Sequence, residues 1–308
     1  MTAPVHVLGP FSIASYTREG VVQVILEMAS DRSRADVVIT PNMSMFRIAE
    51  ASAPFRRAVA AASLTLADGW PVAVAASVRA RRRVSRAPGS DLLLWLLPAA
   101  AGAGLTVAFC GGQDPAAAAR AAARLAPGLR VVLTDGAQYR RVSDAHALHD
   151  RIAVASPDVL VLAFGTPKQE LMAAAMARPG TWGVALCLGA ATDFLSGHQR
   201  RAPVGWRALG CEWLWRVLQQ PARLGDRYVF AVPSFLRAAF GTLHDDEGVA
   251  PCPEPVGESS APEVIPEQPR TPQSCPPGGA RTCSGGSADH RRAGDRRAPV
   301  MTAGDEPP

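Results

Sequence analysis

Lysine is almost absent from this chain: of 32 basic residues, only Lys168 is a lysine. With so much arginine and alanine, the composition reflects the source, and arginine abundance alone assigns no function. No CxxC or mixed Cys/His ligand spacing occurs, which argues against structural zinc. Cys110, Cys187 and Cys211 fall in apolar segments and read as small hydrophobes. Cys252, Cys275 and Cys283 lie in a Pro- and Gly-rich stretch that opposes a packed disulfide framework. There is no P-loop, no Asp-x-Asp and no Ser-His-Asp or Cys-His grouping. A GxGxxG turn with an acid about twenty residues on is also missing, which weighs against a dinucleotide-dependent oxidoreductase. The N-terminus has no basic region followed by an apolar stretch, so a secretory signal is not expected and a reduced, cytosolic setting is.

Charge is unevenly placed. The net value of +5 combines a basic segment, residues 200–241, with an acidic one. The basic segment has seven arginines against Glu212 and Asp226, and residues 242–308 have eleven acids against six arginines. Such a basic segment suits an anionic substrate, a membrane surface or nucleic acid. Residues 242–308, rich in Pro, Gly, Ser and charge, read as a disordered tail. Leu92 to Gln113 carries no charge and has the length of a membrane span, but Pro98 and several glycines interrupt it. It reads better as a buried helix, Asp91 to Ala101, and a strand, Leu105 to Cys110.

Short apolar runs alternate with longer helical patterns. Strands are predicted at Asp36–Thr40, Ser63–Ala67, Leu105–Cys110, Arg130–Thr134, Asp158–Phe164 and Trp182–Leu188. Helices are predicted near 42–61, 71–80, 91–101, 115–126, 143–155 and 167–178. Residues 5–28 precede them as an edge strand or hairpin plus a helix. This alternation predicts an α/β fold: a mostly parallel sheet with helices on both faces.

In such a sheet the loops leaving the strands converge on one edge, where ligands bind. Those loops carry Thr40-Pro41-Asn42, Asp68-Gly69, Gly111-Gly112-Gln113-Asp114 and Gly165-Thr166-Pro167-Lys168-Gln169-Glu170. Each has a plain structural reading beside the functional one. Asn42 and Asp114 can cap helices, and Asp68-Gly69 can be a turn. Thr166, as N-cap before Pro167 at the first helical position, can form a capping box with Gln169. Equally, Lys168, Gln169 and Glu170 can face a ligand. Gly111-Gly112 before an Ala-rich helix fits a diphosphate-binding turn, because glycine lets the backbone approach phosphate.

Residues 200–241 place Trp206, Leu209, Trp213, Leu214, Val217 and Leu218 at helical spacing, with Arg216, Arg223 and Arg227 on one stripe. Pro221 breaks this into two helices. Both a membrane-surface element and an ordinary packed helix fit.

Several short motifs in order resemble the WecG/TagA/CpsF glycosyltransferases. They are Thr40-Pro41-Asn42, Ala67-Asp68-Gly69, Arg86 to Leu92, Gly111-Gly112, Gly165 to Glu170, Gly189 to Gly197, Arg201-Ala202-Pro203 and Leu209 to Arg216 with Pro221 and Arg223. The resemblance runs from about Val5 to Phe240. It implies a Rossmann-like catalytic domain (1–203), a C-terminal helical appendage at the membrane (204–241) and a tail outside the family pattern (242–308). It also implies inverting, metal-independent transfer of an N-acetylmannosamine-type or related hexose from a UDP-sugar to a polyprenyl-diphosphate-linked acceptor, with no other cofactor.

Asp68 matches the family's proposed catalytic base, and Gln169 matches a catalytic-pocket position. Thr40, Asn42, Arg86, Gly89, Ser90, Asp91, Gly111, Gly112, Lys168 and Glu170 are the donor-binding candidates. Arg216, Arg223 and Arg227 are the candidates for the acceptor diphosphate. The family often has consecutive arginines where this chain has Asp226-Arg227, a Phe where it has Thr192, and an acid where it has Ser85. The expected partners are the two substrates and an anionic membrane surface at the inner face of the plasma membrane. Nucleic acid is not expected, and a homo-oligomer is compatible with the pattern. Besides the oxidoreductase, the competing reading is a catalytically silent nucleotide-binding scaffold.

Overall fold

A computed structural model describes residues 5–139, 141–200, 202–203, 205–206, 215, 218 and 230–241. The candidates Arg216, Arg223 and Arg227, the 242–308 tail and most of the 204–241 segment lie outside these residues.

The chain opens with a hairpin, β1 (Val5–Leu8) and β2 (Phe11–Ala14), and then α1 (Arg18–Ser30), whose start is capped by Thr17. There follow β3 (Asp36–Ile39), α2 (Met43–Ala51), α3 (Ala53–Ala60), β4 (Leu64–Thr65), α4 (Trp70–Ala80) and α5 (Gly89–Gly102). The second half is β5 (Thr106–Gly111), α6 (Pro115–Leu125), β6 (Arg130–Asp135), α7 (Ala145–Ala155), β7 (Val159–Ala163), α8 (Lys168–Met176), β8 (Val184–Cys187) and α9 (Ala191–Ser196). A last helix, α10, covers Val232–Phe240.

Six strands form one parallel sheet in the order β4-β3-β8-β7-β5-β6. Every residue of β3, β5, β7 and β8 is buried. That is why these strands read as unbroken apolar runs rather than alternating ones. β6, at the sheet edge, alternates exposed and half-buried positions along most of its length. At the other edge, Ala14 of the hairpin bridges Leu66 in parallel, so β2 shields the short β4.

Two cores lie on the two faces. One gathers Phe11, Phe46, Phe55, Met172 and Trp182 under α2, α3, α4, α7 and α8. The other gathers Ile25, Leu92, Leu96, Phe109 and Leu186 under α1, α5, α6 and α9. At Gly183 a β-carbon would meet the Ala29 carbonyl oxygen at 2.1 Å, so glycine lets α1 lie directly on the start of β8.

Three local features bear on the sequence reading. The helix predicted at 42–61 breaks at Ser52, which ends α2 and caps α3 by accepting from Phe55 N–H at 3.3 Å. Pro54 then sits in the first turn of α3, a position that suits its missing N–H. As the sequence reading expected, the charge-free stretch from Leu92 is divided between a helix, α5, and a strand, β5, and no helix among the described residues is long and apolar enough to cross a membrane. Finally α10, from the segment set apart as an appendage, is seated on α2. Phe235 stacks edge-on against Phe46 at 5.2 Å, and Arg237 and Ser234 bind the Glu50 carboxylate.

The amino-terminal edge of the sheet is held by Asp158. Burial opposes its ionisation, but it accepts from the Thr106 N–H and hydroxyl, both at 2.7 Å, and pairs with Arg32. These contacts outweigh burial and set its carboxyl below the ordinary aspartate value. The charge at this edge is therefore committed to joining β5, β7 and α1.

Candidate active site at the carboxyl edge

β4 hands the chain to Ala67-Asp68-Gly69. The Asp68 N–H donates to the Pro41 carbonyl at 3.1 Å, which ties this turn to the loop leaving β3. Gly69 has φ +81°, a left-handed turn that glycine adopts without strain and that starts α4. Asp68 is half-buried. On the next strand, Thr40 is buried and Asn42 caps α2, its Oδ1 accepting from Ser44 N–H at 3.0 Å and Ser44 hydroxyl at 2.7 Å. The capping reading of Asn42 therefore holds, and so does that of Asp114, which accepts from Ala117 N–H at 2.8 Å.

The start of α5 reaches the same place. A β-carbon on Gly89 would lie 3.3 Å from Thr40 Oγ1 and from Leu188 Cδ2. Gly89 therefore brings the helix backbone against the ends of β3 and β8. Among the described residues no side chain caps α5, whose first turn holds Ser90, buried, and Asp91, half-buried. Its first N–H groups and its dipole are thus available at the edge. α6 and α9 begin at this edge too, after β5 and β8, on the same face as α5.

Gln169 has a different position from the one expected. The helix starts at Lys168 with Pro167 as N-cap, and Thr166 does not cap it. The Thr166 hydroxyl instead donates to Glu170 Oε1 at 2.9 Å. Gln169 is buried, and its Oε1 accepts from both Gly165 N–H (3.2 Å) and Gly189 N–H (3.1 Å). Its amide donates to Glu170 Oε1 at 2.9 Å. The capping box is thus replaced by a brace between the loops leaving β7 and β8.

Lys168 turns toward the end of β6, where its Nζ donates to the Tyr139 carbonyl at 2.5 Å and lies 5.4 Å from the Phe164 ring centroid. Beneath it the buried Asp135 accepts from the Tyr139 hydroxyl at 2.7 Å and pairs with Arg151 at 2.5 Å. Burial, and then this bond to Asp135, push the Tyr139 phenol up to about 12, so it stays a donor. The sequence reading ended this strand at Thr134 and did not single out Asp135, which closes β6.

Gly111 and Gly112 both have positive φ, +85° and +78°. A β-carbon on Gly111 would be 2.7 Å from the Phe164 ring, and one on Gly112 would be 2.7 Å from Thr192 Oγ1 and 3.1 Å from Asp193 Oδ1. Asp193, buried, accepts from Gln113 N–H at 2.9 Å and from the Gln199 amide at 3.0 Å. The two glycines are thus required by the turn itself, whatever it binds. Gly112→Ala is expected to destabilise the fold by about 1–3 kcal/mol, the cost of a side chain in a left-handed position. Denaturant titration checks this; a variant as stable as the parent would show that the loop relaxes freely.

The row from Asp68 through Thr40, Gly189 and Gln169 to Gly112 spans five adjacent strands, about 19 Å at ~4.8 Å per strand. From β3 to β5, neighbouring strands in the row send their helices to opposite faces, which opens the crevice in which α/β sheets bind ligands, while β4 sends α4 to the same face as α2. Two thiols end strands here, but burial pushes Cys110 up to about 12 and Cys187 well above the ordinary thiol value. They stay neutral, and thiolate chemistry does not operate. At the β3/β4 end the carboxylates among the described residues are Asp68, in the turn into α4, and Asp91, in the first turn of α5.

The family model for glycosyl transferases of the WecG/TagA/CpsF family matches residues 5–246. The chain belongs to this family. A WecG/TagA/CpsF member is a glycosyl transferase, which needs an activated sugar donor and an acceptor. The edge just described offers a half-buried carboxylate and an uncapped helix start within one crevice. Arg86 lies away from the middle of the row, in a groove between α4 and α5.

Proposed function

We propose that this protein transfers a hexose, of the N-acetylmannosamine type or a related one, from a UDP-sugar to a polyprenyl-diphosphate-linked saccharide, with inversion. The observation that carries this reading is the placement of Asp68. Its turn is fastened to the β3 loop through Pro41, beside Thr40 and the uncapped start of α5. Asp68 is the general base: it takes the proton from the acceptor hydroxyl as that oxygen attacks the anomeric carbon. The bond from that carbon to the UDP β-phosphate oxygen breaks, and UDP leaves with the electron pair.

The departing diphosphate gains negative charge. The first N–H groups and dipole of α5 offer it positive charge, and the dipole of α6 adds to this behind the Gly111-Gly112 turn, whose Gly112 N–H is held by the Ala163 carbonyl. Thr40 and Asn42 line the donor side, while Gln169 and Glu170 hold the wall formed by the β7 and β8 loops. Arg216, Arg223 and Arg227 would supply charge to the acceptor diphosphate from the membrane side, at the inner face of the plasma membrane. Metal independence is part of the reading, supported by the missing Asp-x-Asp. UDP affinity measured by calorimetry is expected to be unchanged in excess EDTA. Loss of binding restored by magnesium or manganese would overturn this part.

A further inference from the structure

A groove of about 690 Å3 lies between the start of α1, α4, the 83–87 segment and α5. Three aromatic residues, Tyr16, Trp70 and Trp95, and three arginines, Arg18, Arg83 and Arg86, line it, with no acidic residue in the lining among the described residues. None of these arginines forms an ion pair among the described residues. Arg18 lies over the Trp95 ring, 5.4 Å from its centroid. Unpaired guanidinium groups beside indole faces suit a ligand with a phosphate next to an apolar chain or a sugar.

The topology puts this groove beside the proposed base. Because Ala14 bridges Leu66 in parallel, the segment leaving β2, Ser15 to Arg18, emerges at the same edge as Asp68. The Ala87 N–H donates to the Ala67 carbonyl at 3.0 Å, and the Ser85 N–H donates to Ser15 Oγ at 3.0 Å. Trp70 follows Asp68 by two residues. From the groove wall outward, Trp70, Val74 and Val78 form an exposed stripe on α4, 41%, 48% and 59% exposed. Exposed Arg81, Arg82 and Arg83 follow that helix, and no acidic residue occurs between Gly69 and Ser90.

We propose that this groove binds the acceptor as an amphiphilic phosphate, with the phosphate at Arg18, Arg83 and Arg86 and the adjoining chain or sugar against Trp70 and Trp95. The assignment rests on the transferase reading. It adds an acceptor site, on the side of Asp68 away from the Gly111-Gly112 turn, that is built without the C-terminal arginines.

The test uses the full chain and three probes followed by tryptophan fluorescence: farnesyl diphosphate, farnesol and inorganic diphosphate. Farnesyl diphosphate is expected to bind at least about tenfold tighter than either of the others. Arg18→Gln with Arg83→Gln should weaken it about tenfold, as expected for lost charge-assisted bonds, while UDP affinity by calorimetry stays at the parent value. Arg83→Gln alone should show a smaller loss in the same direction, which covers the case of a misfolded double variant. Parent-level binding in the folded variants overturns the proposal, as does equal binding of inorganic diphosphate or displacement of farnesyl diphosphate by UDP. Failure of the parent to bind UDP would count instead against the transferase reading and leave the groove result standing.

Discussion

Replacing Asp68 with asparagine is expected to lower turnover about a hundredfold or more, the usual contribution of a positioned general base. Asparagine keeps the size and polarity of the side chain but cannot take a proton. The turn itself should survive, because it is held by backbone: the Asp68 N–H to Pro41 bond, the Ala87 N–H to Ala67 bond and the left-handed Gly69. UDP affinity should therefore stay within about twofold of the parent, since the donor-binding groups assigned above lie on other loops. Turnover at the parent level would remove Asp68 from the chemistry. A large loss of UDP affinity with unchanged turnover at saturation would make it a binding residue instead.

Gln169→Ala is expected to have the largest effect on stability. One side-chain oxygen satisfies two backbone donors, Gly165 N–H and Gly189 N–H, and its amide serves Glu170. Removing it leaves two loop N–H groups without their partner and takes from the buried Glu170 Oε1 one of its two donors, the other being the Thr166 hydroxyl. At ~1–3 kcal/mol for each unmade bond, and with water able to reach the loop side, the loss should be about 2–4 kcal/mol. Activity should fall as well, because the loops leaving β7 and β8 form one wall of the crevice. Chemical denaturation of the folded variant checks the first effect, and UDP affinity checks the second. A variant within about 0.5 kcal/mol of the parent would show that the two loops hold their places without Gln169.

The sheet was legible in the sequence because its strands are buried on both faces. A run such as Val159–Ala163 has no alternative to a covered parallel strand once turns flank it. The caps at Asn42 and Asp114 were legible because each is decided within four residues. The brace made by Gln169 was not legible, because one of its partners, Gly189, lies twenty residues away on another strand's loop. Local pattern offered a capping box, and the Thr166 hydroxyl chose Glu170 instead. The glycines at 111 and 112 were read as room for phosphate, whereas their closest demand is from Phe164, Thr192 and Asp193. The groove was hidden for the same reason. Arg18, Trp70, Arg83 and Trp95 are ordinary surface residues in the sequence, and the parallel bridge of Ala14 to Leu66, with the Ala87–Ala67 and Ser85–Ser15 bonds, brings their segments together at Asp68's edge.

The central claim is transfer of a sugar from a UDP-sugar at this edge with Asp68 as base. Its most direct test incubates the full chain with a set of UDP-hexoses and a synthetic prenyl-diphosphate-linked saccharide, and follows the mass of the lipid product together with free UDP. The account predicts that one UDP-sugar gives a product heavier by one hexose residue, with stoichiometric UDP, and that Asp68→Asn reduces both about a hundredfold or more. Donor binding with no product from any UDP-hexose, or product formed equally well by Asp68→Asn, would contradict it.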